Sequence, residues 1–502
     1  MERSIRIATT ACLIAVVTTA AAQFDGYALY NNQNQTTTYL VDADGQIAHT
    51  WSLSSNANYA LGLKPNGNLV RGAVHTGNVL GGAAIGGKVQ EWTPGGQLVW
   101  EFVYSTSSYV THHDLCVMPN GNVLLIAWFV QSNAQLQALG YTGTSAKWPT
   151  RIIEVQQNGT GGEVVWEWNM LDRFIQYVDP NKPNYMPIAE HPERMNINVA
   201  VSSMGGPGGG GDWFHVNGID YNPELDQIAF SSRLASEIFI IDHSTTTAEA
   251  AGHTGGNSGM GGDFLFRWGK PANYGMAGTQ NITAAVHDVR WIKPGRPYAG
   301  YLQFINNGSG GNNTTKVDAI NPARTGYLYD RVDGQPYGPT TYDLRHNCLA
   351  SNSGQSASDR MPNGNLFVAI SSEYMYEVNE AGTVVWQYNA SPQKAFRYTC
   401  DDPAMAAILG ENPCGLTTGM AEGRVERSVA FFPNPSTGTF MASGLDAAEV
   451  QRLSVLDATG REVLTGARMV RFDLADRPEG IYFVKLDLVS GETLVSRIAV
   501  QR

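Results

Sequence analysis

LCVMPNGNVLLIAW, residues 115–128, reads as an apolar strand, a Pro-Asn-Gly-Asn turn and a second apolar strand. The unit recurs as LGLKPNGNLV at 61–70 and, with a less clear first strand, as SDRMPNGNLFVAI at 358–370. Asn-Gly supplies the positive φ of a tight hairpin, and proline presets its entry. A second unit recurs as VDADGQIAHTW (41–51), EWTPGGQLVWEF (91–102), EVQQNGTGGEVVWEW (154–168) and EVNEAGTVVWQY (377–388). Here a strand with an acidic residue turns at glycine and returns through an aliphatic stretch to tryptophan. Two hairpins make four strands, and four-stranded units repeated along a chain mark a β-propeller. Trp51, Trp100, Trp166 and Trp386 are unevenly spaced, with Trp268 of GDFLFRW a looser member, so long insertions fall mid-chain. Six blades fit residues 23–425.

The composition agrees with an all-β chain. Charged residues make up 16 % of the 502, with 55 glycines, 11 tryptophans and 22 tyrosines, the profile of a folded, turn-rich protein. A net charge of −12 argues against nucleic acid as a partner and against an electrostatic hold on anionic lipid. The start, MERSIRIATTACLIAVVTTAAAQ, has Arg3 and Arg6, an apolar run and small residues, so 1–22 reads as a secretory signal cleaved after Ala22. It is too short for a membrane anchor, and no other apolar run could span a bilayer. The mature chain is therefore expected to be exported without a transmembrane segment. In an oxidising compartment Cys400 and Cys414 could close a short loop, worth about 3 kcal/mol. Cys116 lies in an apolar strand pattern and reads as a buried thiol. The glycine run SSMGGPGGGGDW (202–213) lacks the Gly-Lys-Ser/Thr of a phosphate loop and reads as a loop over one propeller face.

Three strands open alike: HDLCVMP from His113, HVNGIDYNP from His215 and HDVRWIKP from His287. Each histidine is followed within two residues by a carboxylate or amide: Asp114, Asn217 and Asp288. Equivalent positions of successive blades ring a propeller's central channel, so on innermost strands these imidazoles would converge. Strand alternation would turn His112 to the opposite face, into packing between blades. Converging imidazoles could bind zinc or act as base, acid or nucleophile, and spacing alone does not choose.

Over nearly all of residues 30–400 the chain resembles the bacterial arylsulfotransferase family. The resemblance rests on THHDLCVMPNGNVLLIAW, IIEVQQNGTGGEVVWEW, residues 212–256 from DWFHVN to GHTGG, GDFLFRWGKP and HDVRWIKPG. It implies a six-bladed propeller that moves a sulfuryl group from a phenolic sulfate donor to a phenolic acceptor. No nucleotide donor, cofactor or metal is implied, and a histidine is transiently sulfated. His215 and His287 match histidines of the family's central site, with His113 shaping or assisting it. Arg233 of SSRLASE and Arg360 of SDRMPNG are candidates to hold sulfuryl oxygens. Trp213, Asn217, Tyr221 and Asn307 are candidate substrate contacts. Two features depart from the family: FINNGSGGNN (304–313) lacks an arginine, and SASDR (356–360) lacks a histidine. The rival reading is a non-catalytic secreted or surface propeller that binds phenolic or sulfated ligands. A metal hydrolase is a third.

Beyond residue 428 the style changes. VAFFPNPSTGTF (429–440), RLSVLDATGREVL (452–464) and EGIYFVKLDLVSGETLVSRIAV (479–500) read as six or seven short strands, a small β-sandwich over 428–502. This module resembles the C-terminal sorting domain of type IX secretion substrates. The matching features are Pro433 to Gly438, the Asp457–Gly460 turn, Gly480 to Lys485, and the basic end at Arg497 and Arg502. The resemblance implies passage through the periplasm and outer membrane by the type IX machinery, with release or surface attachment.

Overall fold

A computed structural model of the chain describes residues 26–201, 211–277, 280, 282–309, 314–414, 429, 431–442, 445–490 and 493–502. The expected signal segment, residues 202–210 of the glycine run, residues 310–313 and the expected boundary at 425–428 lie outside them. Two compact units emerge, residues 1–415 and 416–502. Among the described residues no helix is long and apolar enough to cross a membrane.

In the first unit the described residues form six antiparallel four-stranded sheets. Five open with strands β1 (Ala57–Leu63), β2 (Tyr109–Val117), β3 (Val216–Asn222), β4 (Val286–Trp291) and β5 (Ala357–Arg360), each continuing through three later strands. The remaining sheet joins the two ends of the unit. Its opening strand β6 (Ala395–Thr399) pairs with Gly26–Asn31, Thr399 opposite Gly26 and Ala395 opposite Tyr30, and Thr37–Val41 and Ile47–Ser52 follow. Strands β1 to β6 pack beside one another in order.

The two sequence repeats are two halves of one hydrogen-bonded device. In each Pro-Asn-Gly-Asn turn the glycine alone takes a left-handed φ: Gly67 at 81°, Gly121 at 86° and Gly364 at 89°. The turn is thus a type I turn entered by proline and closed by a left-handed glycine, rather than one with positive φ at both Asn and Gly. The second asparagine turns inward to the acidic residue of the third strand. Asn68 Nδ2 donates to Glu91 at 2.6 Å, Asn122 Nδ2 to Glu154 at 2.5 Å and Asn365 Nδ2 to Glu377 at 2.6 Å. A buried carboxylate needs such donors, which explains why an acidic residue recurs in otherwise apolar strands.

The repeated tryptophans lie on fourth strands, and three of their indole N–H groups bond to the following sheet. Trp51 reaches Thr93 O at 3.1 Å, Trp166 reaches Thr245 Oγ1 at 3.2 Å and Trp268 reaches Pro339 O at 2.6 Å. In the β4 sheet the fourth strand, Leu344–Asn347, has no tryptophan, and Arg345 instead clamps Asp318 through two bonds of 2.7 and 2.8 Å. Behind β6, Cys400 and Cys414 form the expected disulfide, with Cα atoms 5.7 Å apart, around the helix Pro403–Leu409. Cys116 is a free, half-buried thiol whose pKa burial and Asp220 push up.

The second unit consists of a three-stranded sheet (Phe431–Phe432, Thr439–Ala442, Arg471–Asp473) and a four-stranded sheet (Val450–Leu456, Glu462–Gly466, Gly480–Leu488, Thr493–Val500). Residues from both, among them Phe440, Phe472, Leu453, Val484 and Ile498, form one apolar core.

Candidate active site

The histidine strands do not run as regular strands. Pairing with the second strand slips between Thr111 and Leu115 in β2, between Val216 and Gly218 in β3 and between His287 and Arg290 in β4. His113 (φ 56°), His215 (φ 50°) and Asp288 (φ 53°) are all left-handed. A bulge inserts a residue, bends the strand and re-aims its side chains, and such features cluster at functional sites. Gly218 lets β3 and β4 meet at this level, because a Cβ there would fall 2.7 Å from the Asp288 backbone.

The bulges bring the histidines together. The rings of His113 and His215 meet edge to face with centroids 4.4 Å apart, and Tyr59 of β1 lies edge-on to His113 at 5.7 Å. His112 does not turn away as alternation predicts. The bulge keeps it beside its neighbour, Nδ1 to Nδ1 at 2.7 Å, stacked on Trp128 at 4.1 Å. One proton fills that Nδ1–Nδ1 contact, so when both rings are neutral they hold opposite tautomers. Exposures are 1 % for His113, 3 % for His215 and 1 % for His287.

Second partners define the other tautomers. His215 Nδ1 donates to Asp212 Oδ2 at 2.5 Å, while Asp212 Oδ1 accepts Trp128 Nε1 at 3.0 Å and the His215 amide at 3.2 Å. Burial alone would raise the Asp212 pKa, but its bond to His215, the nearby imidazoles and Trp128 hold it below the ordinary value. His287 Nδ1 donates to Ala285 O at 2.8 Å and Asn307 Oδ1 at 2.7 Å. On both rings the proton sits on Nδ1, leaving Nε2 with its lone pair. Burial, then the nearness of His215, press His113 and His287 well below the usual histidine pKa, and burial takes His112 down to about 3. His112, His113 and His287 are therefore neutral at pH 7.

The other sequence candidates divide. Arg233 lies beside these histidines. Its amide bonds His215 O at 3.1 Å and its guanidinium bonds Ser353 O at 3.1 Å. A Cβ on Gly354 would lie 3.6 Å from His287 Nε2 and 3.7 Å from Arg233 Nε, so this segment covers both groups. Asn307 and Asn217 are at the site, but their amides serve the protein. Asn307 orients His287 and donates to Asn352 O at 2.9 Å, and Asn217 bonds Val286 O at 2.8 Å and accepts from Ser231 at 2.7 Å. Three candidates lie elsewhere. Trp213 is buried among Tyr141, Phe174 and Phe214, as an indole this apolar favours. The Tyr221 hydroxyl donates to Asp226 at 2.8 Å beside His243. Arg360 ends β5, where it lines a cleft of about 580 Å³ with Tyr298 and His346. His346, which bonds Tyr376 at 2.9 Å, shares that cleft.

Asp212, Tyr59 and Lys394 are the residues that sequence reading missed. Asp212 had a signal, a carboxylate three residues before the histidine in DWFHVN. Tyr59 and Lys394 had none: Tyr59 is brought in by the packing of β1 against β2, and Lys394 by the strand that joins the two ends of the unit. Among the described residues no group of three or more His, Cys, Asp and Glu could hold a metal ion.

Comparison with known proteins follows the same division of the chain. A model of the secretion system C-terminal sorting domain matches residues 430–501, which marks the chain for export to the cell surface or beyond it. No curated protein matches. Solved structures that align with the chain include BamB from Moraxella catarrhalis (10 % identity, 75 % of this chain and 80 % of that one, TM-score 0.30). A Lactobacillus plantarum protein aligns at 9 % identity over 90 % of this chain and all of its own, with a TM-score of 0.37. The Cps50 (Swd1) β-propeller domain of Myceliophteria thermophila aligns at 9 % identity over 74 % of this chain and 90 % of its own, with a TM-score of 0.36. The arylsulfotransferase (ASST) family model matches residues 13–330, a span that includes His113, His215, Arg233, His287 and Asn307 and stops before Arg360 and Lys394. With more than half its length so matched, the chain belongs to the arylsulfotransferase family, whose members are transferases.

Proposed function

We propose that the chain is an exported aryl sulfotransferase: a signal peptide at 1–22, a six-bladed β-propeller at 23–425 and a sorting β-sandwich at 428–502. The blade count is supported by six four-stranded sheets whose opening strands pack in order, and by the pairing of β6 with Gly26–Asn31. The sandwich is supported by the apolar core common to the two sheets of the second unit.

The observation behind the reaction is the Asp212–His215 pair, set against His113, His287 and Arg233. His215 Nε2 attacks the sulfur of a phenolic sulfate, the S–O bond to the ring breaks and the aryl oxide leaves with its electron pair. Asp212 offsets the positive charge that develops on the imidazole. Arg233 exchanges the Ser353 carbonyl for sulfuryl oxygens, and a loose transition state makes such placement of charge the main source of rate. The acceptor phenol, with a pKa of about 10, needs a base. His287 Nε2 takes its proton, the phenol oxygen attacks sulfur, the N–S bond breaks and His215 is restored. The proton passes on to the departed aryl oxide. Among His113, His215 and His287, His215 is the one whose Nδ1 is held by a buried carboxylate, and this makes it the nucleophile here.

The test is turnover of p-nitrophenyl sulfate with a phenol acceptor. Release of p-nitrophenol matched one-to-one by sulfated acceptor, and lost by about 100-fold or more in His215→Asn and His287→Asn, is the expected result. Binding of sulfated phenols without turnover across a broad acceptor panel would favour a non-catalytic propeller.

A further inference from the structure

We infer that Lys394 is a positioning residue that ties the three histidine-bearing strands together at one ammonium group. It directly precedes β6, and its side chain is 1 % exposed. Its Nζ donates to Asp114 Oδ2 on β2 at 2.8 Å, to Asp288 Oδ1 on β4 at 2.9 Å and to the Asn217 carbonyl on β3 at 3.1 Å. An ammonium has three hydrogens, and three different strands take them. Each acceptor is next to a site histidine: Asp114 follows His113, Asp288 follows His287, and Asn217 lies two residues past His215.

Left-handed backbone at His113, His215 and Asp288 persists only where the surroundings over-determine it, and Lys394 reaches all three strands. The carboxylates extend the tie. Asp114 Oδ2 accepts the Ile219 amide at 3.2 Å, and Asp288 Oδ2 accepts the Ser358 amide of β5 at 3.2 Å. Arg290 completes the group, its Nε 3.1 Å from Asp288 and its terminal nitrogen 3.6 Å from Asp114, with the guanidinium stacked on Phe396. Asp220 and Asp359 face Arg290 from β3 and β5, and Arg233 and Asp212 face the imidazoles. At its centre two carboxylates meet one ammonium and one guanidinium, a balanced set whose members are each costly to remove alone. The ammonium also adds to the forces holding His113 and His287 neutral.

The kinetic part of this inference rests on the sulfotransfer reading; the titration part does not. Lys394→Met removes the charge and the tie. Lys394→Arg keeps the charge but replaces the three-way ammonium with a planar fork that does not match the three acceptors. NMR titration of histidines in the full chain, assigned with His113→Asn and His287→Asn, is read beside steady-state turnover. In Lys394→Met the midpoint of His113 or His287 is expected to rise by about 1 pH unit or more. In Lys394→Arg the midpoints are expected to stay in place while kcat falls about 10-fold with KM little changed. Unshifted midpoints in Lys394→Met, or wild-type kcat in Lys394→Arg, would overturn the inference. If the wild type shows no turnover, the titration arm alone decides. If Lys394→Met does not fold, Lys394→Met combined with Asp114→Asn, which restores charge balance, is expected to bring the midpoints back to wild-type values, and raised midpoints there would overturn it.

Discussion

Asp212→Asn is the substitution that separates chemistry from architecture. Asp212 Oδ1 accepts Trp128 Nε1 at 3.0 Å and the His215 amide at 3.2 Å, and an asparagine carbonyl oxygen keeps both bonds. Only the 2.5 Å contact between Oδ2 and His215 Nδ1 changes. An NH₂ group there must donate, so His215 has to carry its proton on Nε2 and loses the lone pair that attacks sulfur. A wrong tautomer in a carboxylate–histidine pair costs about 10⁴-fold in kcat where the imidazole is the base, and a loss of about 10³-fold or more is expected here. Stability moves little, and its acid side moves most. The Asp212 pKa lies below its unfolded value, so its contribution is present above about pH 4 and fades as pH falls through the folded value. Asp212→Asn therefore loses less stability on acidification than the wild type. The assay is initial-rate transfer from p-nitrophenyl sulfate at saturating acceptor, with Tm measured in parallel. A variant with unchanged Tm and kcat within about 3-fold of wild type would refute the reasoning, since the proposed tautomer control predicts a far larger loss.

Two arginines that look alike in sequence are expected to behave oppositely. Arg233→Met lowers kcat/KM by about 100-fold, while Arg360→Met, in its cleft with Tyr298 and His346, stays within about 2-fold in the same assay. His243 bridges Asp226 at 2.7 Å and Glu154 at 3.0 Å. Burial alone would depress its pKa, but the two carboxylates raise it to about 9. Its contribution is therefore full below about pH 6.5 and is lost as pH rises through about 9, on the order of 2 kcal/mol once the exposure of Asp226 is allowed for. Urea unfolding at about pH 6 and about pH 10 should show a smaller difference in His243→Gln than in wild type. Replacing Cys400 and Cys414 together by serine should lower stability by about 3 kcal/mol in the same measurement, with transfer activity retained.

The hairpins were legible because their chemistry is local. Proline, Asn-Gly and an alternating apolar strand specify a turn within a dozen residues, and the acidic residue of the second repeat is the partner of the turn's last asparagine. The three histidine starts were legible for the same reason, since each is a fixed pattern at a strand's beginning. What the pattern could not convey was the bulge. Period-two alternation separates His112 from His113, whereas the two extra residues between Thr111 and Leu115 place the two rings in contact. Asp212 is near its histidine in sequence yet outside any repeat, and Lys394 lies more than a hundred residues beyond the last histidine it serves. Trp213 and Tyr221 misled because an aromatic residue beside a site motif looks the same whether it faces a ligand or the core. Arg360 misled because it sits at the far end of its strand, and a position along a strand is a distance that composition does not report.

The central claim is that sulfur passes through His215. Wild-type chain mixed with p-nitrophenyl sulfate in the absence of acceptor, quenched within one turnover and digested, is read by peptide mass mapping. One SO₃ increment on the peptide containing His215, formed with the p-nitrophenol burst and discharged when phenol is added, is the predicted result. A burst with the increment on another residue, or sustained transfer with none on any histidine, would contradict it.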